Sequence, residues 1–165
     1  MTSRVARFFP WLSSCVVLAL AGCNQGGPAP GAAQTAAPSA PSYQDFGAHE
    51  VHYNALRTDQ LSPEVARAYG IERSANRVML NVSMLRKNPD GSTTPVDGKV
   101  AATAYNLNGQ LKDLRMRRIT EGASVYFIGE VGISGNEILV FDIEAAPLDQ
   151  AARYTMQFRR EFFAG

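Results

Sequence analysis

Between Arg77 and Arg86 the side chains alternate with a period of two: Val78, Leu80, Val82 and Met84 are separated by Met79, Asn81, Ser83 and Leu85. A helix cannot gather such a set onto one face, because its neighbours recur every three or four residues. A strand sends successive side chains to opposite sides. The first set is therefore expected on a core, and the face bearing Asn81 and Ser83 is expected to be wetter. Similar stretches run from His49 to Leu56, Val96 to Leu107, Leu111 to Ile119, Ser124 to Val131, Glu137 to Ala145 and Arg153 to Phe163. Turn residues separate them: Asn88-Pro89-Asp90-Gly91, Asn108-Gly109, Glu121-Gly122 and Ser134-Gly135-Asn136. Asn and Gly accept the positive φ that tight hairpins demand. About seven short antiparallel strands predict an all-β, immunoglobulin-like β-sandwich, with a small closed barrel as the alternative.

One short helix is predicted between the first two strands. Ser62 suits the N-cap, Pro63 the first helical position, Glu64 the positive end and Gly70 the C-terminal stop. About two turns cannot sustain themselves, so packing has to hold them, expected through Val65 and Tyr69.

The N-terminus carries a different message. Arg4 and Arg7 form a positive stretch, an apolar run follows from Trp11 to Ala21, and it ends in Leu20-Ala21-Gly22-Cys23. The run has signal-peptide length and is short of the roughly 20 residues a membrane span needs. An apolar residue, two small residues and a cysteine form the lipobox at which a lipoprotein leader is cleaved and the thiol acylated. Residues 1–22 thus read as a lipoprotein signal peptide and Cys23 as the lipid-attachment residue. Asn24, standing where aspartate would retain the chain at the inner membrane, favours the outer membrane. Residues 23–46 read as the acylated cysteine and a flexible Ala/Pro/Gly-rich linker. Such a stretch buries too little to offset its ordering entropy. A flexible chain of about 20 residues reaches roughly 25 Å. The folded part is expected over 47–165, in the periplasm.

Processing also narrows the chemistry. The chain has two cysteines, Cys15 and Cys23. The first leaves with the leader and the second is acylated, so thiol nucleophiles, disulfides and cysteine-ligated metals drop out. Losing Arg4 and Arg7 turns the formal net charge of +1 into −1. That balance gives no support to nucleic-acid binding.

The segment Val51-His52-Tyr53-Asn54-Ala55-Leu56 continues through Leu61-Ser62-Pro63-Glu64-Val65-Ala66, Ala68-Tyr69-Gly70-Ile71 and Ser74-Ala75-Asn76-Arg77, and then Asn106-Leu107-Asn108-Gly109-Gln110-Leu111. It resembles the bacterial family catalogued as domain of unknown function 4426, over essentially all of 47–165. The resemblance implies a secreted β-sandwich domain in Gram-negative bacteria. It implies no substrate, cofactor or catalytic residue.

Candidate residues follow from chemistry. His49 and His52 flank Glu50 and Val51, but residues three apart on a strand point to opposite faces, so no metal site is expected. The string is also one residue short of the helical zinc motif. Arg115, Arg117 and Arg118, with Arg159 and Arg160, offer an anion or lipid-headgroup patch, or simply a solvated sheet face that discourages edge pairing. Asp142 and Glu144 share a strand face. No Gly-x-Ser-x-Gly elbow is present, and Ser134 belongs to a hairpin turn. His52, Tyr53, Asn54 and Tyr69 are expected near a groove left beside the helix at one end of the sandwich, and form the candidate binding set. Together these features predict a non-enzymatic envelope module, tethered to a membrane through its lipid and free of cofactors, that binds an envelope protein or polymer. An envelope hydrolase using His52 or a carboxylate pair, and a structural or folding-support lipoprotein, are the alternatives.

Overall fold

The computed structural model describes residues 42–165; the residues read as a signal peptide, Cys23 and most of those read as a linker lie outside them. Ten strands form two antiparallel sheets that pack face to face. Sheet A contains β1 (Tyr43–Asp45), β2 (His49–Arg57), β3 (Arg77–Lys87), β4 (Thr93–Val96), β7 (Arg117–Glu121) and β8 (Ser124–Gly132). Sheet B contains β5 (Gly98–Asn106), β6 (Leu111–Lys112), β9 (Asn136–Pro147) and β10 (Tyr154–Phe163). The orders are β1-β2-β3-β8-β7, with β4 also on β3, and β10-β9-β5-β6. The protein is the expected all-β sandwich with one short helix.

The period-two pattern sets this arrangement. Val78, Leu80, Val82 and Met84 are completely buried against Leu139, Phe141, Ile143 and Ala145 of β9. Removing such side chains from water, at about 25 cal/mol per Å², supplies the main favourable term in a fold without disulfides. The opposite face of β3 is not uniformly wet. Met79 joins Ile71 and Ile128 in a second buried cluster, with Leu56, Leu61, Tyr69, Ile119 and Tyr126 around it.

Helix α1 (Pro63–Tyr69) is punctuated as expected. Ser62 Oγ accepts from the Val65 amide at 3.2 Å, and Gly70 adopts the left-handed conformation that ends the helix. Its packing differs from expectation. Val65 is exposed, Ala66 is the buried residue, and Tyr69 lies against the second cluster. The segment 61–71 therefore covers the apolar half of the outer face of sheet A, rather than one end of the sandwich.

Three further differences bear on the site. Tyr43–Asp45, within the residues read as linker, forms an edge strand on His52, Val51 and Glu50. Thr93–Val96 forms a short strand on the Met84–Lys87 end of β3. The single strand read from Leu111 to Ile119 is two strands in different sheets, and residues 113–116 cross between them. Leu114 and Met116 pack on the core during that crossing. Gly129 makes room for it, since a Cβ there would meet Leu114 Cδ1 at 2.6 Å and Met116 Sδ at 2.7 Å.

Candidate functional site

Strand β1 is only three residues long, so it covers β2 at Glu50, Val51 and His52 and then stops. The last hydrogen bond runs from the Tyr53 amide to the Ser42 carbonyl at 2.8 Å. Beyond it, β2 has no strand partner on that side among the described residues. A pocket of about 430 Å³ opens there, lined by Ser42, His52, Tyr53, Asn54, Asn81, Ser83 and Arg160. Three of the four residues expected from sequence, His52, Tyr53 and Asn54, thus share one pocket.

The strand pleat divides their roles. Tyr53 points inward, where its ring stacks on Phe158 at 4.8 Å, and Phe158 stacks on Phe141 at 4.9 Å. It therefore anchors the pocket to the core. His52 lies on the outer face, stacked on Tyr43 at 5.1 Å, with Nε2 3.1 Å from Glu50 Oε2. Asn54 and Asn81 are directly paired across β2 and β3, as are His52 and Ser83. Asn81 Oδ1 is buried and has no hydrogen-bond partner. A buried acceptor left without a donor costs about 1–3 kcal/mol, so its position in a pocket wall is informative.

Arg160 completes the wall from the other sheet. It lies on the inward face of β10, and Nη1 donates to Asn54 Oδ1 at 2.5 Å and to the Ala55 carbonyl. Among the described residues no carboxylate pairs with it. Of the basic residues weighed as an anion patch or a solvated sheet face, Arg115, Arg117 and Arg118 do not gather around Arg160. Arg115 is exposed outside any strand beside Asp113, Arg117 reaches the Tyr69 carbonyl, and Arg118 is clamped on Asp97 at 2.8 Å through both Nε and Nη2.

Tyr69 sits elsewhere. Its hydroxyl donates to Glu121 Oε2 at 2.7 Å, and burial, followed by that carboxylate, pushes the phenol up to about 12. The carboxylates of Asp142 and Glu144 lie on the outer face of sheet B in a separate hollow of about 550 Å³. Each already accepts from a neighbour, Gln157 at 2.7 Å and Arg153 at 2.6 Å.

His49, weighed with His52 as a metal ligand, is a buried pin. It is 1% exposed, with Nδ1 3.0 Å from the Tyr154 hydroxyl and Nε2 3.0 Å from Asp149 Oδ1. Arg86 holds the other oxygen of Asp149 at 3.1 Å. The chain Tyr154–His49–Asp149–Arg86 fastens the β9–β10 loop to sheet A. Burial, then the Asp149 charge, raises the Tyr154 phenol, which keeps the hydroxyl neutral. Its distance from His52 follows from the pleat, which sends residues three apart to opposite faces.

A hydrolytic site needs a nucleophile, a base and an orienting group within hydrogen-bond reach. His52 and Glu50 supply the latter two. Ser83 lies opposite His52 in register, and no hydrogen bond joins its hydroxyl to the imidazole. The pocket as built presents hydrogen-bonding groups and a cation without an activated nucleophile.

Among curated proteins none matches the chain. The crystal structure of a DUF4426 family protein from Pseudomonas aeruginosa PAO1 is similar, with 32% identity, a TM-score of 0.63, and coverage of 74% of this chain and 94% of that one. FetP of uropathogenic E. coli strain F11, recombinantly expressed in the periplasm of E. coli BL21(DE3), is a more distant likeness, at 11% identity, a TM-score of 0.48, and coverage of 73% and 91%. Residues 43–165 match the family described as Domain of unknown function (DUF4426), and the chain belongs to that family.

Proposed function

We propose that this chain is a cell-envelope lipoprotein whose sandwich is a non-enzymatic binding module, with the polar pocket at the open edge of β2 as its ligand seat. The lipobox ending at Cys23 supports the anchor, and the Ala/Pro/Gly-rich residues after it support a tether that holds the domain in the periplasm, at the outer membrane. The observation that carries the binding reading is Asn81 Oδ1: a buried acceptor without a partner, in the wall of a pocket that also holds His52, Ser83 and an arginine without a carboxylate. An isolated folding-support domain has no use for that cost, whereas a ligand donor offsets it.

The test is affinity capture of the tagged chain after in-cell crosslinking, alongside metabolic labelling with a palmitate analogue. Label is expected in the wild type and lost in Cys23→Ala. A reproducible envelope component is expected in the wild type and lost in His52→Ala and Asn81→Leu. An unlabelled chain would remove the anchor. Capture unchanged by both pocket variants would remove the pocket.

A further inference from the structure

Arg160 differs from the two arginines of this domain that grip a carboxylate with both edge nitrogens. Arg57 grips Asp59 through Nε and Nη2 at 3.1 and 3.0 Å, and Arg118 grips Asp97 through the same two nitrogens. That edge of a guanidinium is planar and presents two parallel donors, which match the two oxygens of a carboxylate. Arg160 is half-buried, yet the structure shows only its Nη1 engaged, and only with neutral acceptors, Asn54 Oδ1 and the Ala55 carbonyl. Its Nε and Nη2 have no partner among the described residues. A positive charge withdrawn from water without a counter-ion is costly, and an anion arriving from solution relieves that cost.

The rest of the pocket narrows the anion. Asn54 carries Arg160 on one side and pairs across the sheet with Asn81 on the other. The orphan acceptor is therefore one residue away from the guanidinium. It asks for an N–H or O–H, which acetate, a halide or sulfate does not bring. The volume of about 430 Å³ lies at the lower end of small-molecule sites. We infer that the pocket takes a small carboxylic acid that also bears an amino or hydroxyl group, with its carboxylate on the Nε–Nη2 edge of Arg160 and its donor on Asn81 Oδ1. The inference rests on the binding-module reading above and names the ligand class of that same site.

Nuclear magnetic resonance titration of the full-length chain in detergent micelles tests it, with acetate, glycolate, glycine and inorganic phosphate as probes. The readouts are the Arg160 Nε–H and Asn81 side-chain amide resonances, assigned through Arg160→Lys and Asn81→Leu. Glycolate and glycine are expected to shift both saturably and to bind about fivefold more tightly than acetate, the worth of one neutral hydrogen bond. Asn81→Leu should erase that preference while leaving acetate affinity intact. Arg160→Lys keeps the charge but loses the fork, and should weaken every carboxylate about tenfold. An Arg160 resonance unmoved by all four probes overturns the inference, as does a glycolate preference that survives Asn81→Leu. Should Arg160→Lys fail to fold, the acetate-to-glycolate ratio in Asn81→Leu still decides. Envelope capture that depends on Asn81, combined with a silent titration, would refute the small acid while leaving the binding module standing.

Discussion

Arg160 on β10 donates from Nη1 to Asn54 Oδ1 on β2 at 2.5 Å, and this bond ties the free edge of one sheet to the free edge of the other. The amide oxygen is a neutral acceptor where a charged one would fit. Asn54→Asp should therefore stabilise the domain by up to about 1 kcal/mol, as a partly exposed ion pair would. The same change should weaken acetate binding, by neutralising the guanidinium and placing a second negative charge beside the bound carboxylate. Urea midpoints of wild type and variant measure the first effect, and the titration above measures the second.

Asn81→Leu is expected to separate stability from binding. It removes a buried acceptor that has no donor and substitutes apolar volume of similar size. Stability should rise by about 1 kcal/mol while capture of the envelope component is lost. A variant that is less stable than the wild type would show that Asn81 is satisfied in solution.

Tyr69 gives the fold a signature at alkaline pH. Its folded-state value of about 12 exceeds the ordinary 10.0, because burial first, and Glu121 second, disfavour the phenolate. A raised value means that this contribution is complete below pH 10 and is lost as pH rises through about 12. Tyr69→Phe should flatten the loss of stability in that window without altering the pocket. Denaturant unfolding across the alkaline range is the measurement.

Gly129 should tolerate nothing larger. Its Cβ position is occupied by Leu114 and Met116 where the chain crosses between sheets, and the Arg115 carbonyl stands at 3.0 Å. Gly129→Ala is expected to cost about 1–3 kcal/mol through overpacking. Leu114→Ala in the same chain should recover part of the loss by opening space, measurable as a partial return of the thermal midpoint.

The strands that span the core were legible because their inward and outward residues alternate, as from Val78 to Met84. Those that were missed bury little. Tyr43–Asp45 is exposed throughout and is held by pairing with β2 and by the Lys87–Asp45 ion pair. Thr93–Val96 contains Pro95, which reads as a strand breaker and is tolerated because β4 pairs on one side only. The break after Lys112 has no turn residue to mark it; it arises because Leu114 and Met116 are drawn into the core from a chain changing sheets. In the site, His52, Tyr53 and Asn54 were found as neighbours in sequence. Arg160 was not, because its link to Ala55 joins residues 105 positions apart and exists only once the sheets stack. The loneliness of Asn81 was equally out of reach, since an unmet hydrogen bond is a property of surroundings rather than of sequence.

The most direct measurement is site-specific photocrosslinking in living cells, with the reactive group placed at Ser83 in the pocket or at Thr155 on the opposite sheet face. The account predicts an adduct from Ser83 that competes away with added glycolate and vanishes in Arg160→Lys, and none from Thr155. An adduct from Thr155 alone, or one from Ser83 indifferent to both glycolate and Arg160, would contradict it.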